Sequence, residues 1–142
     1  MPALETISIG GSTVTLHRMH QDTNIGALTL LGNIKARFGP GIVIDLTGNV
    51  NVHEYAVICD NVHIFTHKHD WKGSRDLRQD HNLIVFWNLS IGRDVYIAQG
   101  TTIVGGTEIG EGAVIGACSV VTKSVPAFEI WAGNPARKIG ER

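Results

Sequence analysis

Apolar positions recur every six residues through the last third of the chain. From Ile91 to Pro126 it divides into IGRDVY, IAQGTT, IVGGTE, IGEGAV, IGACSV and VTKSVP. Each hexapeptide opens on an aliphatic residue (Ile91, Ile97, Ile103, Ile109, Ile115, Val121), and its fifth place is small or β-branched (Val95, Thr101, Thr107, Ala113, Ser119, Val125). A helix would spread every sixth residue over drifting faces, so a period of six predicts short strands separated by turns, with places one and five pointing inward. Three hexapeptides then make one turn of a coil, and like residues stack one strand spacing apart. This predicts Ile91 on Ile109, Ile97 on Ile115 and Ile103 on Val121. Gly92, Gly110 and Gly116 follow the inward aliphatic, where a bend brings backbones close.

The same phase runs backwards through Ile64, Ile58, Val52 and Leu46, with Val62, Ala56 and Val50 in fifth places. The 27 residues from Ile64 to Ile91 are not a multiple of six, so a segment is inserted. Asp70 to Asn88 is aperiodic and mostly polar, which reads as a loop thrown out of the coil, and long loops on regular scaffolds commonly carry function. Thr6 to Leu16 alternates around Gly10-Gly11 and predicts a short hairpin or imperfect strand pair. The expected organisation is one all-β domain over 1–142. It comprises an irregular N-terminal cap (1–33), first coils (34–69), an inserted loop (70–90), later coils (91–127) and a C-terminal tail (128–142) whose ladder stops at Pro135.

A formal charge of −1 across 142 residues provides no basic field for nucleic acid or an anionic membrane. No apolar run reaches spanning length, and MPALETISIGG has neither a basic start nor an apolar core, so neither membrane insertion nor a secretory signal is expected. Cys59 and Cys118 form no disulfide framework and are expected as small buried fillers. These features together suit a cytoplasmic protein.

The run from Ile91 through Thr122-Lys123-Ser124-Val125-Pro126 and Gly133-Asn134-Pro135-Ala136-Arg137 resembles the C-terminal half of the hexapeptide-repeat acyltransferases. The likeness is nearest to the maltose, galactoside and nodulation O-acetyltransferase group and extends from about Leu46 to Arg137. It implies a left-handed parallel β-helix, acetyl-CoA as donor co-substrate, a homotrimer with active sites between subunits, and transfer to a hydroxyl of a sugar or saccharide-type acceptor in a ternary complex. Such transfer needs a base for the acceptor proton, and neutral imidazole suits that role near pH 7. Alignment with the family motif points to His69 as base, with His67, two residues back on the same strand face, as runner-up. Coil arithmetic places Asn51 eighteen residues before His69, within reach of an acceptor hydroxyl. Trp71, Phe86 and Trp87 are candidates to stack on a sugar ring, and Tyr96 stands where the family commonly has Trp.

For the donor, Ala98, Gln99 and Ala117 offer a wall that a thin pantetheine arm can approach. The resemblance assigns Thr122, Lys123 and Arg137 to the phosphates, where cations give charge-assisted bonds. A further family cation falls on Gly140, leaving Lys138 or Arg142 as substitutes. No counterpart of the family's acceptor-binding N-terminal helix occurs in residues 1–33, so the acceptor is open. Three alternatives stand beside this reading. One is N-acetylation of an amino sugar or other amine. Another is a γ-carbonic-anhydrase-like zinc enzyme drawing on His53, His63, His67, His69 and His81, although no metal is expected with the Thr122–Pro126 motif present. The last is a non-catalytic structural β-helix.

Overall fold

The computed structural model describes residues 3–18, 26–69, 84–106 and 108–142. All regular structure among them is strand. The N-terminal and first coils contribute β1 (Ala3–Ile9), β2 (Ser12–Arg18), β3 (Leu28–Leu30), β4 (Arg37–Phe38), β5 (Ile42–Asp45), β6 (Val50–Val52), β7 (Val57–Ile58), β8 (His63–Ile64) and β9 (His67–His69). After the inserted segment come β10 (Ile84–Phe86), β11 (Leu89–Ile91), β12 (Tyr96–Ile97), β13 (Thr102–Ile103), β14 (Glu108–Ile109), β15 (Val114–Ile115), β16 (Val120–Val121), β17 (Glu129–Gly133) and β18 (Ala136–Glu141). No helix among the described residues is long and apolar enough to cross a membrane.

Three sheets form the sides of a prism: β1-β2-β5-β8-β13-β16, then β14-β11-β6-β3, then β18-β17-β15-β12-β7-β4. The chain visits them in rotation, as a left-handed parallel β-helix. The predicted registers hold: Ile91 pairs with Ile109, Ile97 with Ile115 and Ile103 with Val121. These residues are fully buried, and so are the fifth-place Thr101, Ala113 and Ser119, making one continuous narrow core. Gly92 and Gly110 sit where a methyl group would come within 2.7 and 2.4 Å of the next coil's backbone nitrogen, as the bend argument requires.

Below the inserted segment the coils depart from eighteen residues. Phe38 pairs with Ile58 and Ile44 with Ile64, steps of twenty, while Leu30 pairs with Val52, a step of twenty-two. Leu46 is therefore not the ladder partner of Ile64. It is buried inside the turn that joins β5 to β6. Ile64 pairs with Ile103, thirty-nine residues on, so twenty-one residues are inserted into an eighteen-residue coil.

Both ends are more regular than the sequence suggested. The β1–β2 hairpin is antiparallel and β2 runs parallel to β5, while β3 joins the second sheet, so coiling begins inside the expected cap. At the other end the ladder does not stop at Pro135. Strands β17 and β18 form an antiparallel hairpin whose first strand lies on β15, covering the open edge of the third sheet. Cys118 is not a buried filler either. It is exposed at φ 55° in a prism turn, and Cys59 is half-buried at the same edge.

Candidate active site

The inserted segment leaves at the edge between the first and second sheets. Strand β9 breaks away from the coil and pairs antiparallel with β10, setting His69 opposite Ile84 and His67 opposite Phe86. The return is fixed where the Trp87 N–H donates to the Thr66 carbonyl (2.9 Å). Gly48 is needed there, because a methyl group on it would stand 1.9 Å from the Trp87 carbonyl oxygen.

A carboxylate lies under this departure point. Asp45 ends the aliphatic run of β5 and is 1% exposed, and burying such a charge is costly unless donors surround it. Five do. Its Oδ1 accepts from the Thr47 N–H (3.1 Å) and the Thr47 hydroxyl (2.8 Å). Its Oδ2 accepts from the Thr66 N–H (2.9 Å), the Thr66 hydroxyl (3.0 Å) and His67 Nδ1 (2.6 Å). Burial pushes the Asp45 carboxyl upward. The opposing hydrogen bonds from His67, the Thr66 N–H and Thr47, with the charge of His67, bring it down to about 2. At neutral pH it is an anion.

That anion decides the imidazole tautomer. Thr47 Oγ1 lies 3.2 Å from His67 Nδ1 and directs its own hydrogen at Asp45, so both neighbours of Nδ1 accept. The ring proton is thereby assigned to Nδ1 and the lone pair to Nε2. The side chain of His67 is 7% exposed, so packing as well as hydrogen bonding holds it. The His69 ring stands 5.7 Å away, centroid to centroid, at 71°. Asp45, Thr47 and Thr66 were missed in the sequence, although an acid inside Ile42–Leu46 was a signal that something must satisfy it.

Other predicted residues are dispersed. Asn51 registers with Thr29 and Ser90 on the outer face of the second sheet, so the ladder does not stack it on His69. The eighteen-residue arithmetic fails there because the chain has already left the coil at Thr66. Thr122 and Lys123, both exposed, share the edge of His67. The backbone of Thr122 is stacked on Gly105 and that of Lys123 on Gly106, two coils and roughly 10 Å above Thr66. Ala98, Gln99 and Ala117 line a different edge, between the third and first sheets, a full prism side away.

Arg137 is exposed on β18, its guanidinium donating to the Ala136 carbonyl. Lys138 is engaged by Glu141 and Glu129, and Arg142 by Asp94. Tyr96 is on the outer face of the third sheet rather than beside His67. Trp71, Asp70 and His81 lie outside the described residues. Among those described, no three His, Cys, Asp or Glu side chains converge.

Residues 88–123 match the family model described as bacterial transferase hexapeptide (six repeats). Over that stretch the chain carries the hexapeptide repeat. No protein of curated function matches it significantly. Among solved structures, this hexapeptide-repeat chain is similar to AntD, an N-acyltransferase from Bacillus cereus in complex with dTDP and 3-hydroxybutyryl-CoA. The TM-score is 0.71 at 21% identity, over 82% of this chain and 64% of that one. It is also similar to a maltose O-acetyltransferase from Clostridium difficile 630, with a TM-score of 0.55 at 26% identity over 84% and 69%. A third similar structure is galactoside acetyltransferase in complex with coenzyme A, at TM-score 0.60 and 24% identity over 82% and 64%. The hexapeptide-repeat chain thus spans under two thirds of the length of AntD and of galactoside acetyltransferase.

Proposed function

We propose that this protein transfers an acetyl group from acetyl-CoA to a hydroxyl of a sugar or saccharide-type acceptor, with His67 as general base. The observation that carries the reading is the Asp45–His67 pair, 2.6 Å apart beneath the inserted segment. Nε2 takes the acceptor proton as the hydroxyl oxygen attacks the thioester carbonyl. The tetrahedral species then collapses, the C–S bond breaks, and the imidazolium returns the proton to the departing thiolate. Asp45 keeps the ring in the reactive tautomer and stabilises the imidazolium as it forms, the role a carboxylate has in acyl-transfer triads. His69 stands beside this pair, its ring 5.7 Å from that of His67.

The donor assignment rests on two edges. Lys123 and Thr122 stand above His67 along one edge, a span suited to an extended pantetheine arm that ends in phosphates. The small-residue wall of Ala98, Gln99 and Ala117 is on another edge, and a single prism cannot close both on one ligand. A homotrimer resolves this, because a neighbouring copy brings its small-residue edge against the His67 edge and completes a groove. Acetyl-CoA as donor goes with a cytoplasmic location, where that thioester is available.

Thiol release from acetyl-CoA across a panel of sugars, nucleotide sugars and amino sugars tests the reading. Turnover that depends on a hydroxyl acceptor is expected. Turnover confined to amines would move the acceptor to an amino sugar, and none with any acceptor would remove the reading.

A further inference from the structure

Two threonines grip the carboxylate that orients the base, one on each oxygen. Thr47 gives Oδ1 both its N–H and its hydroxyl, while Thr66 gives Oδ2 the same pair of donors. Both are almost wholly buried, at 3% and 0% exposed. A carboxylate with donors on one oxygen only can rotate about its Cβ–Cγ bond. With two donors fixed on each side it cannot turn without breaking bonds that buried surroundings would not replace.

Thr66 does more than hold Asp45. Its Oγ1 accepts the Gly48 N–H (2.9 Å) and shares its one hydrogen between the Asp45 carbonyl (2.9 Å) and Oδ2 (3.0 Å), while its own carbonyl receives the Trp87 N–H. One residue thus joins the β5–β6 turn, the carboxylate and the return of the inserted segment. Each link is one peptide unit from His67.

We propose that Thr47 and Thr66 are positioning residues whose hydroxyls lock the rotation of the Asp45 carboxylate, so that Oδ2 meets His67 Nδ1 and the reactive tautomer is kept. The proposal rests on His67 being the base. Its effect belongs in turnover rather than in binding, because both hydroxyls are buried against Asp45. Replacing either threonine by valine keeps the shape and removes one hydrogen bond to a charged group, which lowers kcat about 10- to 100-fold. KM for donor and acceptor stays within about twofold, since ground-state binding is untouched. Serine at either position restores most of the turnover.

The deciding experiment is a double-mutant cycle of Thr47→Val and Thr66→Val, each made in the wild-type chain and in Asp45→Asn. Threonines that act through the carboxylate give little further loss once it is gone, whereas general structural support gives the same factor in both backgrounds. Non-additive losses are the expected result, and additive losses or unchanged kcat in both valine variants would overturn the lock. Should Thr66→Val fail to fold, Thr47→Val in the wild-type chain and in Asp45→Asn carries the cycle alone.

A readout independent of turnover separates this idea from the transferase reading. Nitrogen-15 shifts of the His67 ring are expected to be widely split in wild type, as for a single Nδ1–H tautomer, and to converge in Thr47→Val. Identical shifts in both proteins would refute the lock even in an active enzyme. The expected convergence in a protein without transferase activity would uphold the lock and refute the reaction.

Discussion

Asp45 is held down to about 2 by donors it meets only in the folded chain, against an ordinary 3.8. A depressed carboxyl contributes stability that is complete above the unfolded value and is lost as pH falls through the folded one. The window here therefore lies between about pH 4 and pH 2, and the amount is about 2 kcal/mol. Denaturant titrations should show the wild type weakening by that amount on acidification, and Asp45→Asn showing a flatter profile across the same interval. At neutral pH, Asp45→Asn should lower kcat by about two to four orders of magnitude. An amide can donate to Nδ1 and leave the proton on Nε2, the wrong nitrogen for a base. Circular dichroism of the same variant should stay that of a folded β-helix.

At the scale of elements, the departure of β9 and the return at Trp87 depend on the missing side chain of Gly48. Gly48→Ala sets a methyl group against the Trp87 carbonyl, and relief requires the return strand to move away from Thr66. A stability loss of about 1–3 kcal/mol is expected from such overpacking, seen as a lower Tm. Turnover should fall more than Tm alone explains, because Thr66 and His67 move with the strand. The later coils were legible in the sequence because three equal hexapeptides bring Ile91, Ile97 and Ile103 onto one inward column each. The earlier coils were less so. Turns of twenty and twenty-two residues keep the core filled while breaking the period, so Leu46 looked like a ladder residue when it fills a turn. The terminal β17–β18 hairpin was hidden behind Pro135, since its antiparallel pairing has no six-residue signature.

Across the whole molecule, the candidate site divides by how far each signal reaches along the chain. His67 and His69 were visible as neighbours in sequence, but the choice between them depends on Asp45, 22 residues earlier and a full irregular coil below. Eighteen-residue arithmetic does not lead there, which is also why it misdirected Asn51. The donor residues were named from a resemblance, and the prism then separated them onto two edges. A site completed by a second copy predicts complementation between subunits. For the proposed homotrimer, assemblies of His67→Ala alone and of Ala98→Trp alone should be inactive, and assemblies formed from a mixture of the two should recover part of the activity. Recovery arises because some grooves then join an intact His67 edge to an intact small-residue edge, and activity absent from every mixture would place both edges in one subunit's site.

The central claim is that the base is the histidine held by the buried carboxylate, and the most direct test is kcat for acetyl transfer by His67→Ala and His69→Ala, side by side at saturating donor and acceptor. The account predicts a loss of about 10²–10⁴-fold for His67→Ala and less than about tenfold for His69→Ala. The reverse order, or a His67→Ala enzyme that turns over like wild type, would contradict it.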